Sequence, residues 1–188
     1  LIGIQQVLAG VAIGLLVSLA FQSVVVAGEA VALSMGLGFA TMVDPQTGTS
    51  TPVVSQFLLI VATLVFLAVG GHLMLVQLLA ESFNLLPVAP QGLDAHSFHT
   101  VVAWGSEMYS GAVLIALPAI ALLLTVNMVI GVMTRAAPQM NIFSVGFPLT
   151  MMVGLLALLM LVLPSLTPRL FDLWRSAFDT VRQVFGAG

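Results

Sequence analysis

Apolar residues fill most of this chain in long blocks, and the polar residues fall between them. Residues 1–27 form the first block, which predicts a long helix. The next stretch, 28–43, GEAVALSMGLGFATMV, stays apolar but holds Glu29, the first charge, and two glycines, Gly36 and Gly38, around Leu37. DPQTGTSTP at 44–52 breaks the pattern, since its prolines, glycine and hydroxyl residues predict a loop. Residues 53–80 are the clearest membrane-spanning candidate, interrupted only at Gly70-Gly71-His72. The connection at 81–99 carries Pro87, Pro90 and Gly92, and Asp94 is a candidate cap for the helix that follows. From Ala95 to about Met133 the pattern is helical again, with a kink or division predicted near Gly111 and Pro118. The last block is 142–163, with Pro148 in its first turns and Pro164 predicted to mark its end.

The tail at 169–185 differs in period. Phe171, Trp174, Phe178, Val181 and Phe185 recur at steps of three and four, while Asp172, Arg175, Asp179 and Arg182 lie elsewhere on the wheel. That predicts an amphipathic helix, with Arg175 and Asp179 spaced to pair. Such a helix suits either a membrane interface or a partner protein, and the pattern favours neither. Near the other end, Gly3, Gly10 and Gly14 share one helix face, which allows close helix contact inside a membrane.

Charge sharpens the class. Residues 1–28, 45–80, 108–134 and 136–168 carry none. Each gap exceeds the roughly 20 residues a helix needs to cross a hydrocarbon core. Charged residues make up 6% of the chain and mean hydropathy is +1.19, so too little polar surface exists for a soluble domain. The expected fold is all-α and integral to a membrane. The net charge of -3 is spread out, which excludes a nucleic-acid patch. The absence of cysteine excludes disulfides and thiolate chemistry. Arginine placement favours a cytoplasmic tail only weakly, as if some apolar segments did not cross the membrane. The chain opens at Leu1 in the middle of a helical pattern, which predicts a fragment lacking an N-terminal part.

Candidate chemistry is sparse. His96 and His99 are three apart, with Asp94 and Glu107 the nearby carboxylates, too few ligands at fixed geometry for a metal. His72 lies inside an apolar run and is a candidate intramembrane polar contact, expected to make a helix-to-helix hydrogen bond. GLGF at 36–39 lacks the lysine and strand of a phosphate loop, and no serine sits in a nucleophile elbow. Ser23, Ser34 and Ser55 read as packing residues. No catalytic, cofactor-binding or metal site is expected, and an enzyme is not. Met35, Phe39 and Met42 near Gly36 and Gly38 suit either a flexible, methionine-lined gasket across a pore or an ordinary helix end capped by glycine.

RAAPQMNIFSVGFPL at 135–149, with its lead-in LPAIALLLTVNMVIGVMT at 117–134, resembles the hallmark of the FliR family of flagellar export-gate proteins. GLGFATMVDP at 36–45 and VFLAVGGHLMLVQLLAESF at 65–83 resemble two further family segments, in family order. The likeness runs from near residue 7 to about 168. The homologous virulence secretion subunit shares some of it, but the VDP and NIFSVGFPL runs resemble the flagellar branch more closely.

The resemblance implies a structural subunit of the flagellar type III export gate in the bacterial inner membrane, within the basal body. One copy would join five FliP and four FliQ subunits, with FlhB around the base and unfolded flagellar substrates passing through the centre. It implies a FliP-like part at 1–109, a FliQ-like hairpin at 110–168 and a tail at 169–188. Residues 36–56 would form a plug loop, with Met35, Gly36, Gly38, Phe39 and Met42 sealing the pore. Arg135, Pro138, Gln139 and Asn141 would form the turn at the base of the gate. The rival classes are a small-molecule secondary transporter and a membrane scaffold without a pore.

Overall fold

The structure is a computed structural model that describes residues 2–38, 52–85, 95–137 and 142–186. Every element among them is helical. Helix α1 spans Ile2–Ser34, α2 Val53–Ala68, α3 Gly71–Leu85, α4 Ala95–Ala103, α5 Gly105–Ala136 and α6 Ile142–Ala157. A π-helical segment, Leu158–Val162, joins α6 to the last helix, α7, at Leu163–Gly186. Three runs are long and apolar enough to cross a membrane, namely Gly3–Ser34, Ser97–Ala136 and Ser144–Val184, and the bent pair α2 and α3 would make a fourth. The chain is an all-α membrane protein. The two longest runs have 40 and 41 residues, so each extends about 60 Å, twice the thickness of a hydrocarbon core.

Several boundaries differ from the sequence pattern. The first helix does not stop near residue 27 but continues to Ser34, because Glu29 sits half-buried on it without ending the backbone ladder. Gly111 and Pro118 do not divide α5. Gly111 instead makes room for Leu173 of α7, since a Cβ there would lie 2.8 Å from that side chain. Pro118 lacks one ladder hydrogen bond, yet its helix packs along α1 and runs on. The interruption falls at Trp104, where the ladder resumes through Glu107 N–H to Trp104 C=O at 2.9 Å.

Pro164 does not end the last apolar block. The wide π turn before it loosens the ladder where proline cannot donate, and the helix passes through both Pro164 and Pro168. The tail is therefore a continuation of α6. Its apolar face is covered by this chain itself, with Leu166, Leu170, Leu173, Trp174, Ala177 and Val181 buried against α1, α3, α4 and α5. Asp179 pairs with Arg182 at 3.7 Å, not with Arg175, and Arg182 also reaches Glu81 of α3 at 3.5 Å. Gln77 donates to the other oxygen of Glu81 at 2.9 Å, so α3 and α7 meet through a small polar group.

The break between α2 and α3 is sharp. The two axes differ by 66°, and Gly70 carries φ +78°, the left-handed conformation that ends α2 without steric cost. Phe66 folds over Gly71 so closely that a side chain there would collide with its ring. Phe66 also meets Trp174 at 4.9 Å and Phe21 at 5.3 Å between ring centroids, so aromatic packing holds the bend against α1 and α7. His72 follows directly and is exposed on the first turn of α3.

α1 is the centre of the bundle. Leu16, Ala20, Val24, Ala27 and Val31 are buried along one stripe that faces α2 and α5. Gly28 brings α1 and α2 into backbone contact, since a Cβ on it would lie 2.6 Å from Ser55 Cα. Ser55 donates to Val25 C=O at 3.1 Å across the same contact, and Ser23 bonds within its own helix to Ala20 C=O at 2.7 Å. Gly3, Gly10 and Gly14 have open space beside them. That contrast yields a test. Gly28→Ala should destabilise the detergent-solubilised protein by about 1–3 kcal/mol in thermal unfolding, whereas Gly14→Ala should be neutral or slightly stabilising.

Candidate functional site

The end of α1 is where the chain's unusual residues converge. An α-helix leaves its last carbonyls without partners. Met35 N–H still reaches Val31 C=O at 3.0 Å, and then the chain turns. Gly36 takes φ +83°, which lets Gly36 N–H bond Leu33 C=O and Leu37 N–H bond Ala32 C=O, both at 3.0 Å. That is a Schellman ending with glycine at its left-handed position. The N–H groups of Met35, Gly36 and Leu37 are thus spent on Val31, Leu33 and Ala32, and none of the three reaches the carbonyls of Ser34 and Met35.

Both are met by the neighbouring hairpin. Asn127 of α5 donates its Nδ2 to Ser34 C=O at 3.3 Å. Thr150 of α6 lies 3.4 Å from Met35 C=O and 2.9 Å from Phe147 C=O in its own helix. The side chains follow the same docking. Met35 is 1% exposed and lies over Gly154, where any Cβ would fall on the methionine side chain. The Phe147 ring lies beside Gly36, 3.5 Å from where a Cβ would stand. A cleft of about 440 Å³ borders the contact, lined by Leu33, Met35, Ile130, Phe147 and Thr150 among others.

Of the residues singled out by sequence, the structure brings Met35 and Gly36 to this junction, and Gly38 follows one residue beyond Leu37, close to Leu33. Met35–Leu37 take the glycine-capped helix end, one of the two forms their sequence allowed. Arg135 is exposed in the last turn of α5, where a cation complements the helix dipole. Phe39, Met42, Pro138, Gln139 and Asn141 lie outside the described residues. His72 stands apart, on α3. Among the described residues, no three metal-capable side chains converge. Sequence reasoning missed Thr150, Gly154 and Phe147, and gave Asn127 no role in this contact. Asn127 carries the one readable signal, an amide in an apolar helix that needs a partner.

A second polar spot lies between α5 and α7, where Glu107, Ser110, Arg169, Asp172 and Ser176 line a hollow of about 230 Å³. Trp104 Nε1 donates to Ser176 Oγ at 3.1 Å beside it. The Trp104–Ser176 bond, with Leu173 seated at Gly111, ties the tail to the start of α5.

The family model for bacterial export proteins, family 1, matches residues 1–177. The chain belongs to that family. It is 42% identical over 181 residues to the flagellar biosynthetic protein FliR of Pectobacterium carotovorum subsp. carotovorum, covering 96% of this chain and 69% of that protein. It is 38% identical to the FliR of Escherichia coli (strain K12), covering 97% and 70%. The surface presentation of antigens protein SpaR of Shigella flexneri is 26% identical over 163 residues, covering 87% and 62%.

The glycine at the turn is directly testable. Gly36→Ala meets no steric obstacle beyond ordinary contact with Phe147, so its penalty is the left-handed backbone, about 1 kcal/mol. Gly36→Asn should lose less, because asparagine tolerates that conformation. Thermal unfolding of the two variants in detergent should rank them in that order below the parent.

Proposed function

We propose that this chain is a structural subunit of the flagellar type III protein export gate and helps to form and seal the channel for unfolded flagellar substrates. Its place in the bacterial export family across residues 1–177 carries the reading. Identities of 42% and 38% to FliR proteins against 26% to SpaR favour the flagellar branch over a virulence gate. The chain would act by shape and not by catalysis, in the bacterial inner membrane at the flagellar basal body. One copy would assemble with five FliP and four FliQ subunits, and with FlhB.

Within that reading, the segment 36–56 is the plug. Gly36 and Gly38 let it turn away from α1, Phe39 and Met42 press on the pore, and Met35 anchors its root. Two observations support the anchor. The backbone reverses at Gly36, and Met35 is gripped by Gly154. Arg135, Pro138, Gln139 and Asn141 form the turn of the FliQ-like hairpin at the base of the gate. The exposure of large apolar side chains, with Val102, Met128 and Met160 all at least 70% open, supports partner subunits or lipid around the bundle.

Deleting residues 36–50 in the assembled apparatus should raise leakage of small ions across the membrane. Unchanged leakage with intact assembly would rule out the plug. Arg135→Ala should reduce assembly or secretion, read from motility and from the amount of exported flagellar protein. Normal assembly and motility would remove Arg135 from the gate base.

A further inference from the structure

We infer that Asn127 and Thr150 are positioning residues that latch the last turn of α1 to the hairpin, through bonds arranged to let go. The inference deepens the plug reading and rests on it only for its effect on leakage. The latch itself is a property of Ser34–Leu37 and the two helices that hold them.

The N–H groups of Gly36 and Leu37 go to the Leu33 and Ala32 carbonyls, and the side chains of the hairpin reach the next two, Ser34 and Met35. Each arm of the hairpin supplies one donor, Asn127 from α5 and Thr150 from α6. Neither arm holds the turn alone. A shift of α5 against α6 cannot preserve both bonds, so the turn reports the relative position of the arms.

The bonds are also weak by geometry. They measure 3.3 and 3.4 Å, whereas Thr150 to Phe147 C=O is 2.9 Å. A threonine hydroxyl has one proton. With Phe147 C=O always within reach, Thr150 gives up Met35 without being left unsatisfied. Because the donor has a ready alternative, opening leaves only the Met35 carbonyl to be met elsewhere, and the cost of release falls on that acceptor. A cleft of about 440 Å³ adjoins the turn, bordered by Leu33, Phe147 and Thr150. The grip that remains is the Met35 side chain over Gly154, which is steric and sets the register of the turn.

The test uses the full-length protein in the assembled, membrane-embedded apparatus. Leu37→Cys, half-buried at the end of the turn, is the reporter; residues 1–188 hold no cysteine, and any elsewhere in the apparatus is replaced first. The rate of its modification by N-ethylmaleimide is measured. Asn127→Leu with Thr150→Val should raise that rate about tenfold, near what two interhelical hydrogen bonds in a membrane supply. Thr150→Val alone should raise it less, and Thr150→Ser, which keeps the hydroxyl, should restore the parent rate. An unchanged rate in the double variant overturns the latch, and so does a Thr150→Ser rate equal to that of Thr150→Val. If the double variant does not assemble, the near-isosteric Thr150→Val and the hydroxyl-keeping Thr150→Ser decide by the same comparison. Ion leakage is read in parallel. Faster labelling with unchanged leakage keeps the latch and removes the plug.

Discussion

In a membrane, a backbone carbonyl that loses its helical partner has no water to turn to. Much of this fold follows from where such groups are left and what meets them. The long helices leave few of them. At three of the helix ends and bends among the described residues, a specific device meets the break. Gly70 turns α2 into α3 under an aromatic cover. A one-residue interruption at Trp104 passes α4 into α5 with the ladder re-formed. The end of α1 is the most exposed to this constraint, because two of its carbonyls fall to side chains borrowed from elsewhere.

Close packing depends on the same small residues that permit the bends. Gly28, Gly111 and Gly154 each receive another helix's atoms where a side chain would collide. The contacts fall at different heights and join α1 to α2, α5 to α7, and the end of α1 to α6. The hairpin is thus fastened to the first helix near its tip and to the last helix near its base. Gly3, Gly10 and Gly14 meet no such neighbour among the described residues. Glycine spacing alone does not tell an occupied groove from an open one.

The architecture was readable from charge gaps, because the absence of charge over a span is a direct statement about solvent. The glycine-histidine interruption of the 53–80 run marked a true bend. The prolines misled. Pro118 was expected to kink or divide its helix and Pro164 to mark an end, but α5 runs on undivided through Pro118 and a π turn carries the chain through Pro164. The amphipathic tail was recognised as a helix, yet its apolar stripe could not reveal that the covering surface is its own chain. The junction at Gly36 was visible as a cluster of glycine and methionine. Its partners were not, since Thr150 and Gly154 lie more than a hundred residues away and look like ordinary members of an apolar run.

The π segment at Leu158–Val162 has a mechanical meaning. It stands between two fixed ends of one helix. On one side Trp174 is wedged among Phe21, Phe66 and Phe171, and on the other Thr150 lies against Met35. Thr150 is about 15 Å along the axis from the middle of the wide turn. A tilt of roughly five degrees about that point moves the hydroxyl by about 1 Å, which is enough to carry a hydrogen bond of this length out of range. If the latch opens as proposed, such a helix would act as a lever about the π turn, with its short arm at the latch and its heavy end set in aromatic rings.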